Sequence, residues 1–76
     1  MTIKSISKEE GMATITIDAN ELVKLCNVMY KAPEDQKNKL YYKLYAEMII
    51  ARDLTQYGHL DSWCIDRVVE LRDHLK

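Results

Sequence analysis

The chain has 76 residues, which is enough for one small domain at most. Its 11 Lys and Arg residues against 12 Asp and Glu residues leave a formal charge of −1, which excludes a polybasic surface for non-specific binding to nucleic acids or anionic membranes. Apolar residues make up 47% and charged residues 30%, as in a folded globular domain, and the longest uncharged stretches fall far short of the roughly 18 apolar residues of a transmembrane helix.

Residues 1–17 predict a β-hairpin whose polar turn ends at Gly11. The second strand alternates apolar with mostly hydroxylated residues, so we expect one apolar, half-buried face. The apolar residues of that strand are Ala13, Ile15 and Ile17. The first strand alternates poorly, because Ile3 and Ile6 would lie on opposite faces of a regular strand. We therefore expect this strand to be bulged, short or frayed.

A first helix is predicted over residues 18–31. Asp18 suits the N-cap position, and Glu21 three residues later completes a capping box. The next apolar residues recur at helical spacing and define one face of the helix. These residues are Leu22, Leu25, Cys26 and Met29.

Two further helices are predicted over residues 33–57 and 61–75. Pro33 suits the first turn of the long second helix, and Gly58 suits a left-handed position just after its end. Asp61 is the expected N-cap of the third helix, whose apolar face carries Cys64, Val68, Leu71 and Leu75. The sequence thus predicts a single α+β domain over residues 1–76, with an N-terminal β-hairpin followed by a three-helix bundle with a long central helix.

The second helix is apolar nearly all round, which is typical of a helix that is covered on more than one side. One side of the helix carries Leu40, Leu44, Met48 and Ala51. A second apolar patch beside it is formed by Tyr41, Tyr42, Tyr45 and Ile49. Tyrosines are favoured at protein interfaces, and small domains often gain stability by oligomerisation. We therefore expect this patch to bind a protein partner, and the chain to form a homodimer through helix two or the hairpin edge.

The residue inventory argues against catalysis. The sequence has no nucleophile elbow, P-loop, dinucleotide fingerprint or zinc-protease motif, so we expect no enzyme activity and no cofactor. His59 and Cys64 could pair as a base and a thiol nucleophile, but Cys64 falls on the apolar face of the third helix, where a core thiol is the better interpretation. The histidines and cysteines lack the short paired spacings of zinc sites, so no metal site is predicted.

Residues 12–50 resemble a ribbon-helix-helix repressor in their order of strand, short helix and long helix. The resemblance implies paired strands that read the major groove of DNA. The outward residues Thr14 and Thr16 differ from that pattern, because base edges are normally contacted by Arg, Lys, Asn or Gln. Acidic residues on both sides of the strand also repel phosphate. A DNA-binding regulator is therefore an alternative, and nucleic acid is not the favoured partner.

Arg52 is the basic residue embedded among the apolar positions of helix two. It suggests a second alternative, a dimeric binder of a small anionic ligand in which the guanidinium faces the anion and a tyrosine stacks on its ring. The other interpretation of Arg52 is an ion pair with carboxylates on helix two or helix three. Asp53 is in turn expected to be solvated or ion-paired with neighbouring Lys or Arg side chains.

Two stretches, TITID-x-NEL over residues 14–22 and ARDLTQYGHLD over residues 51–61, carry a resemblance in overall organisation to short accessory proteins of bacteriophages and mobile elements of Firmicutes. This resemblance implies a protein that binds and inhibits a host or defence protein. We therefore expect a non-catalytic protein-interaction module, and its partner-binding residues are expected to be Tyr41, Tyr42, Tyr45, Ile49 and Arg52. The chain shows no apolar leader segment, and its two cysteines form no disulfide framework, so we expect a cytoplasmic protein without membrane association.

Overall fold

Two antiparallel strands and three helices follow one another along the chain in the predicted order. The computed structural model describes all 76 residues. Strand β1 spans Thr2–Ser7, β2 spans Met12–Thr16, helix α1 spans Ala19–Tyr30, α2 spans Lys39–Tyr57 and α3 spans Ser62–Asp73. The predicted α+β fold, a hairpin ahead of three helices with the longest in the middle, is confirmed.

A bulge in β1 gives the hairpin one continuous apolar face. Ile3 lies opposite Ile15 and the ladder resumes at Ser5, so Lys4 has no partner across the strands. The extra residue shifts the side-chain alternation of β1 by one position. One face of the hairpin therefore carries Ile3, Ile6, Ala13 and Ile15. Of the three alternatives expected for this strand (bulged, short or frayed), the structure shows the bulge, and the turn closes at Gly11, whose φ of 66° suits glycine.

This apolar face is exposed, so the expectation of a half-buried strand is wrong. Every residue of β2 is exposed, and Ile3 and Ile6 of β1 are 63% and 72% exposed. The helices pack on one another, and none packs extensively against the hairpin, although the amino group of Met1 pairs with Glu21 of α1. The hairpin thus projects from the helices, and the radius of gyration of 13.6 Å exceeds the about 11.4 Å typical of a chain this long.

Side-chain and glycine caps set the ends of the helices as predicted. Asp18 accepts a hydrogen bond from the Glu21 amide at 2.8 Å and donates its own amide to the Glu21 carboxylate at 3.2 Å, which completes the capping box. Asp61 accepts from the Cys64 amide at 2.9 Å at the start of α3. Gly58 ends α2 with a φ of 74°, a left-handed conformation that favours glycine.

The long helix begins later than predicted. Residues Glu34–Gln36 form a single 3-10 turn, so Pro33 precedes a turn and not the first turn of α2. The helix begins at Lys39, after Asn38, whose side chain accepts a hydrogen bond from the Tyr41 amide at 2.9 Å. An asparagine side chain satisfies a free helix amide well, and this local bond stops the helix from extending back to the proline.

Helix α2 packs against both α1 and α3, and the three helices share one core. Only nine of the 76 residues are buried. They are Leu22, Cys26, Tyr45, Ala46, Ile49, Asp53, Cys64, Val68 and Leu71. The apolar faces predicted for α1 and α3 are therefore confirmed, and α2 buries the side that carries Tyr45 and Ile49. None of the three helices combines the length and apolar character that a membrane span requires.

Candidate functional site

The tyrosines of α2 make their main contacts within the chain. The Tyr41 hydroxyl donates to the Met29 carbonyl at 2.7 Å, near the end of α1, and burial raises the pKa of this tyrosine. The Tyr42 ring stacks on His74, with centroids 4.1 Å apart and planes inclined by 5°. The Arg67 guanidinium of α3 lies 5.9 Å from the centre of the Tyr45 ring. These side chains therefore join α2 to both neighbouring helices.

The expectation that these residues form a second, exposed apolar patch is wrong for the middle of the helix. Tyr45 and Ile49 are 4% and 3% exposed and lie in the core, while Leu40 and Leu44 on the other side are 62% and 42% exposed. A wheel that is apolar all round does not say which side will be covered. The tyrosine side makes contacts that leucine side chains cannot make, since the Tyr41 hydroxyl bonds α1 and the Arg67 guanidinium of α3 lies over the Tyr45 ring.

Arg52 and Asp53 form an ion pair between neighbours on α2. Arg52 Nε donates to Asp53 Oδ1 at 3.0 Å, which confirms the ion-pair interpretation of Arg52. Burial lowers the pKa of Arg52, but the hydrogen bond and charge of Asp53 raise it overall. Of the two alternatives expected for Asp53, the structure shows the ion pair and not a solvated carboxylate, since Asp53 is 4% exposed and its Oδ2 is buried without a hydrogen-bond partner.

A surface depression lies where α1 ends, α2 passes its middle and α3 begins. We call it the Trp63 cleft, a depression of about 510 Å³ lined by Tyr30, Tyr45, Ile49, Arg52, Trp63, Asp66, Arg67 and Glu70. Tyr45 and Ile49 are the buried part of the lining, whereas Trp63 and Tyr30 are 71% and 65% exposed. The cleft therefore combines apolar core residues with two aromatic rings left in water.

Both cations of the Trp63 cleft are paired with carboxylates. Arg52 is held by Asp53, and Arg67 Nη1 lies 3.4 Å from Glu70 Oε1. Asp66 adds another negative charge to the lining. The cleft thus carries charges of both signs and no excess of positive charge. A cleft with such balanced charges is better suited to a partner whose surface is both polar and apolar than to a small anion.

Sequence reasoning placed Arg52, Tyr45 and Ile49 at a site but missed Trp63 and Tyr30. A signal for Trp63 was present, because it lies outside the apolar stripe formed by Cys64, Val68 and Leu71. Tyr30 is the last residue of α1 and likewise lies one position after Met29, which packs against the core. Large aromatic residues outside an apolar stripe are the pattern to look for.

The two cysteine side chains are buried, whereas both histidines are exposed. Burial, together with the hydrogen bonds and charges of Asp53 and Asp61, raises the pKa of the Cys64 thiol to about 12. His59 contacts the Tyr57 carbonyl through Nδ1 at 3.0 Å, as expected for a residue after a helix end. No group of three or more His, Cys, Asp and Glu side chains is arranged to hold a metal ion.

The hairpin bears on the ribbon-helix-helix alternative. In the structure β2 pairs with β1 of the same chain. The polar face of the hairpin consists of Thr2, Ser5, Ser7, Met12, Thr14 and Thr16. That face carries none of the Arg, Lys, Asn or Gln side chains that usually contact base edges. DNA binding stays a prediction that this surface does not favour.

Comparison of the chain with protein-family models, curated proteins and solved structures finds no match. Function must therefore be inferred from the two unusual surfaces of the chain. These are the Trp63 cleft on the helices and the exposed apolar face of the hairpin.

Proposed function

We propose that the chain is a non-catalytic protein-interaction module that binds its partner through the Trp63 cleft. The observation that carries the proposal is Trp63 itself, the only tryptophan, which is 71% exposed beside the 65% exposed Tyr30. Leaving such large rings in water forgoes the free energy that their burial would provide. Trp, Tyr and Arg are also the residues that dominate binding energy in protein interfaces.

The lining of the cleft supports a polypeptide as the ligand. Its buried floor, Tyr45 and Ile49, offers apolar contact, and its rim offers carboxylates beside the paired cations Arg52 and Arg67. A protein segment with an apolar side chain flanked by charged or amide groups could use all of these contacts. A small anion would instead have to compete with Asp53 and Glu70 for the guanidinium groups.

The biological setting we propose is an accessory role in which the chain occupies and inhibits a host or defence protein. The resemblance to accessory proteins of phages and mobile elements supports this setting. We place the protein in the cytoplasm, because both of its cysteines are free and buried and would stay reduced there. The raised pKa of Cys64 supports a binding role over a nucleophilic one.

The test compares two variants that each remove one exposed apolar side chain. Tagged wild-type protein should recover one stoichiometric partner from lysate, Trp63→Ala should lose it, and Leu40→Ala should retain it. Leu40 is the matched control because it is 62% exposed on α2 and does not line the cleft. Equal recovery by all three proteins, or recovery of nothing above background by the wild type, would contradict the proposal.

Direct binding to the purified partner then measures the size of the effect. We expect Trp63→Ala to weaken the Kd by about 30-fold or more, as for a central interface residue. Because Trp63 is the only tryptophan of the chain, its fluorescence should shift to shorter wavelength when the partner covers it. Binding without any change in the Trp63 environment would place the partner on another surface.

A further inference from the structure

The apolar face of the hairpin is a second surface, independent of the Trp63 cleft. It is formed by Ile3, Ile6, Ala13 and Ile15, all of them exposed. A two-stranded hairpin is at best marginally stable in water without cover on its apolar side. The bulge at Lys4 is what aligns the isoleucines of both strands on one face, so the face is a specific feature of the sequence. Something must cover it for the hairpin to be well ordered.

We infer that the hairpin face is covered by the same face of a second copy of this chain, in a twofold-symmetric dimer. The first support is area. The accessible surface of the chain is 5996 Å², whereas a folded monomer of 8.9 kDa is expected to expose roughly 4,800 Å². The difference is larger than the area of about 800 Å² that one subunit buries in a standard interface. With only nine buried residues, the chain also has a small core that association would enlarge.

The composition of the face supports a second copy as its occupant. The face is purely aliphatic, without the Trp, Tyr or Arg that anchor most transient partners, and it resembles half of a hydrophobic core, as in permanent homodimers. The charged residues of the hairpin are Lys4, Lys8, Glu9 and Glu10. The charges of these four residues sum to zero, so the hairpins of two copies carry no net charge that would repel them. In a twofold dimer the same patch meets itself, with the two hairpins stacked about 10 Å apart.

The experiment measures absolute mass by light scattering on a size-exclusion column over a hundredfold concentration range. Wild-type protein should have about twice the 8.9 kDa chain mass. Ile6→Lys should weaken dimerisation at least tenfold, whereas Thr14→Lys, the same charge on the opposite face of the same hairpin, should remain dimeric. Far-UV circular dichroism checks that the helices are intact in both variants. A monomeric wild type, or an Ile6→Lys protein that dimerises as strongly as wild type, would overturn the proposal.

A cross-linking measurement keeps the proposal testable if a lysine variant loses its fold. The native Cys26 and Cys64 are buried, so a cysteine placed on the hairpin is the accessible thiol. With a short bis-maleimide, Ala13→Cys should give a covalent dimer, and Thr14→Cys on the other face should not. Equal cross-linking of the two variants would indicate edge pairing of strands and would overturn the stacked arrangement.

The dimer does not depend on the proposed partner binding, and the two can fail separately. Trp63→Ala should leave the dimer mass unchanged, since Trp63 lies at the start of α3 and not on the hairpin. Ile6→Lys should still bind a partner at the Trp63 cleft, with one site per chain. Loss of the dimer in Trp63→Ala would show that the cleft belongs to the dimer interface and would overturn the assignment to the hairpin.

Discussion

Arg52 Nε donates a hydrogen bond to Asp53 Oδ1 at 3.0 Å, and the two partners differ greatly in their access to water. The Arg52 side chain is 23% exposed, while that of Asp53 is 5% exposed. The carboxylate therefore depends on Arg52 for its compensation, because Arg52 bonds Oδ1 and Asp53 Oδ2 is buried without a hydrogen-bond partner. The guanidinium, by contrast, lines the Trp63 cleft and can still reach solvent. The ion pair thus fixes one wall of the proposed binding surface. Loss of Arg52 and loss of Asp53 should therefore change the stability of the protein by different amounts.

We predict that Arg52→Ala destabilises the protein more than Asp53→Ala. Removing Arg52 leaves a buried carboxylate without its counter-charge, which costs about 3 kcal/mol, whereas removing Asp53 leaves a cation that can turn toward water and costs about 1 to 2 kcal/mol. Urea unfolding followed by circular dichroism measures both changes. The control is Arg72→Ala, whose 3.3 Å pair with Glu47 is half exposed and should be worth less than about 0.5 kcal/mol. The opposite order for the first two variants would contradict the prediction.

The difference in burial between the two apolar sides of α2 gives a second prediction. Ile49→Ala should lower the free energy of unfolding by about 3 kcal/mol, because Ile49 is 3% exposed and its removal leaves a cavity between the helices. Leu40→Ala should change it by less than about 0.5 kcal/mol, since Leu40 is 62% exposed. Thermal and urea unfolding of the two variants measures both changes in the free energy of unfolding. Similar losses would mean that both sides of the helix are covered.

Local hydrogen bonds made much of the fold predictable from the sequence. Asp18 and Asp61 begin their helices, and Gly58 ends α2, through bonds or backbone angles that depend on neighbouring residues alone. The N-cap at Asn38 carries the same kind of local information, but the proline before it suggested an earlier start. Which side of α2 is buried depended instead on partners from α1 and α3. Periodicity cannot supply that information when a helix is apolar all round.

The candidate site was only partly predictable for the same reason. Arg52 attracted attention as a cation among apolar residues, and the structure places it in the wall of the Trp63 cleft. The exposure of Trp63 and the isolation of the hairpin face are properties of tertiary packing. Alternation in the second strand predicted an apolar face but could not predict that no helix covers it.

The two native thiols should be inert while the protein is folded. Cys26 and Cys64 are 1% and 5% exposed, and burial is the main cause that raises the pKa of each, to about 12 for Cys64. We expect no reaction with a thiol reagent at pH 8 in native buffer and two reactive thiols per chain in denaturant. Thr14→Cys, on the polar face of the hairpin, is the positive control, because that face stays in water in the proposed dimer. A native thiol that reacts as fast as this control would contradict the burial of the core.

The capping aspartates should make stability depend on pH in the acid range. Backbone amides of Glu21 and Cys64 are the main cause that lowers the pKa of Asp18 and Asp61 below the ordinary value of 3.8. The unfolded chain then binds more protons, so the stabilisation is complete above that value and is lost as pH falls through the folded pKa. Asp61→Asn keeps a cap acceptor but cannot titrate, and its urea midpoint should fall less between pH 6 and pH 3 than that of wild type. An Asp61→Asn profile as steep as that of wild type would contradict the assignment.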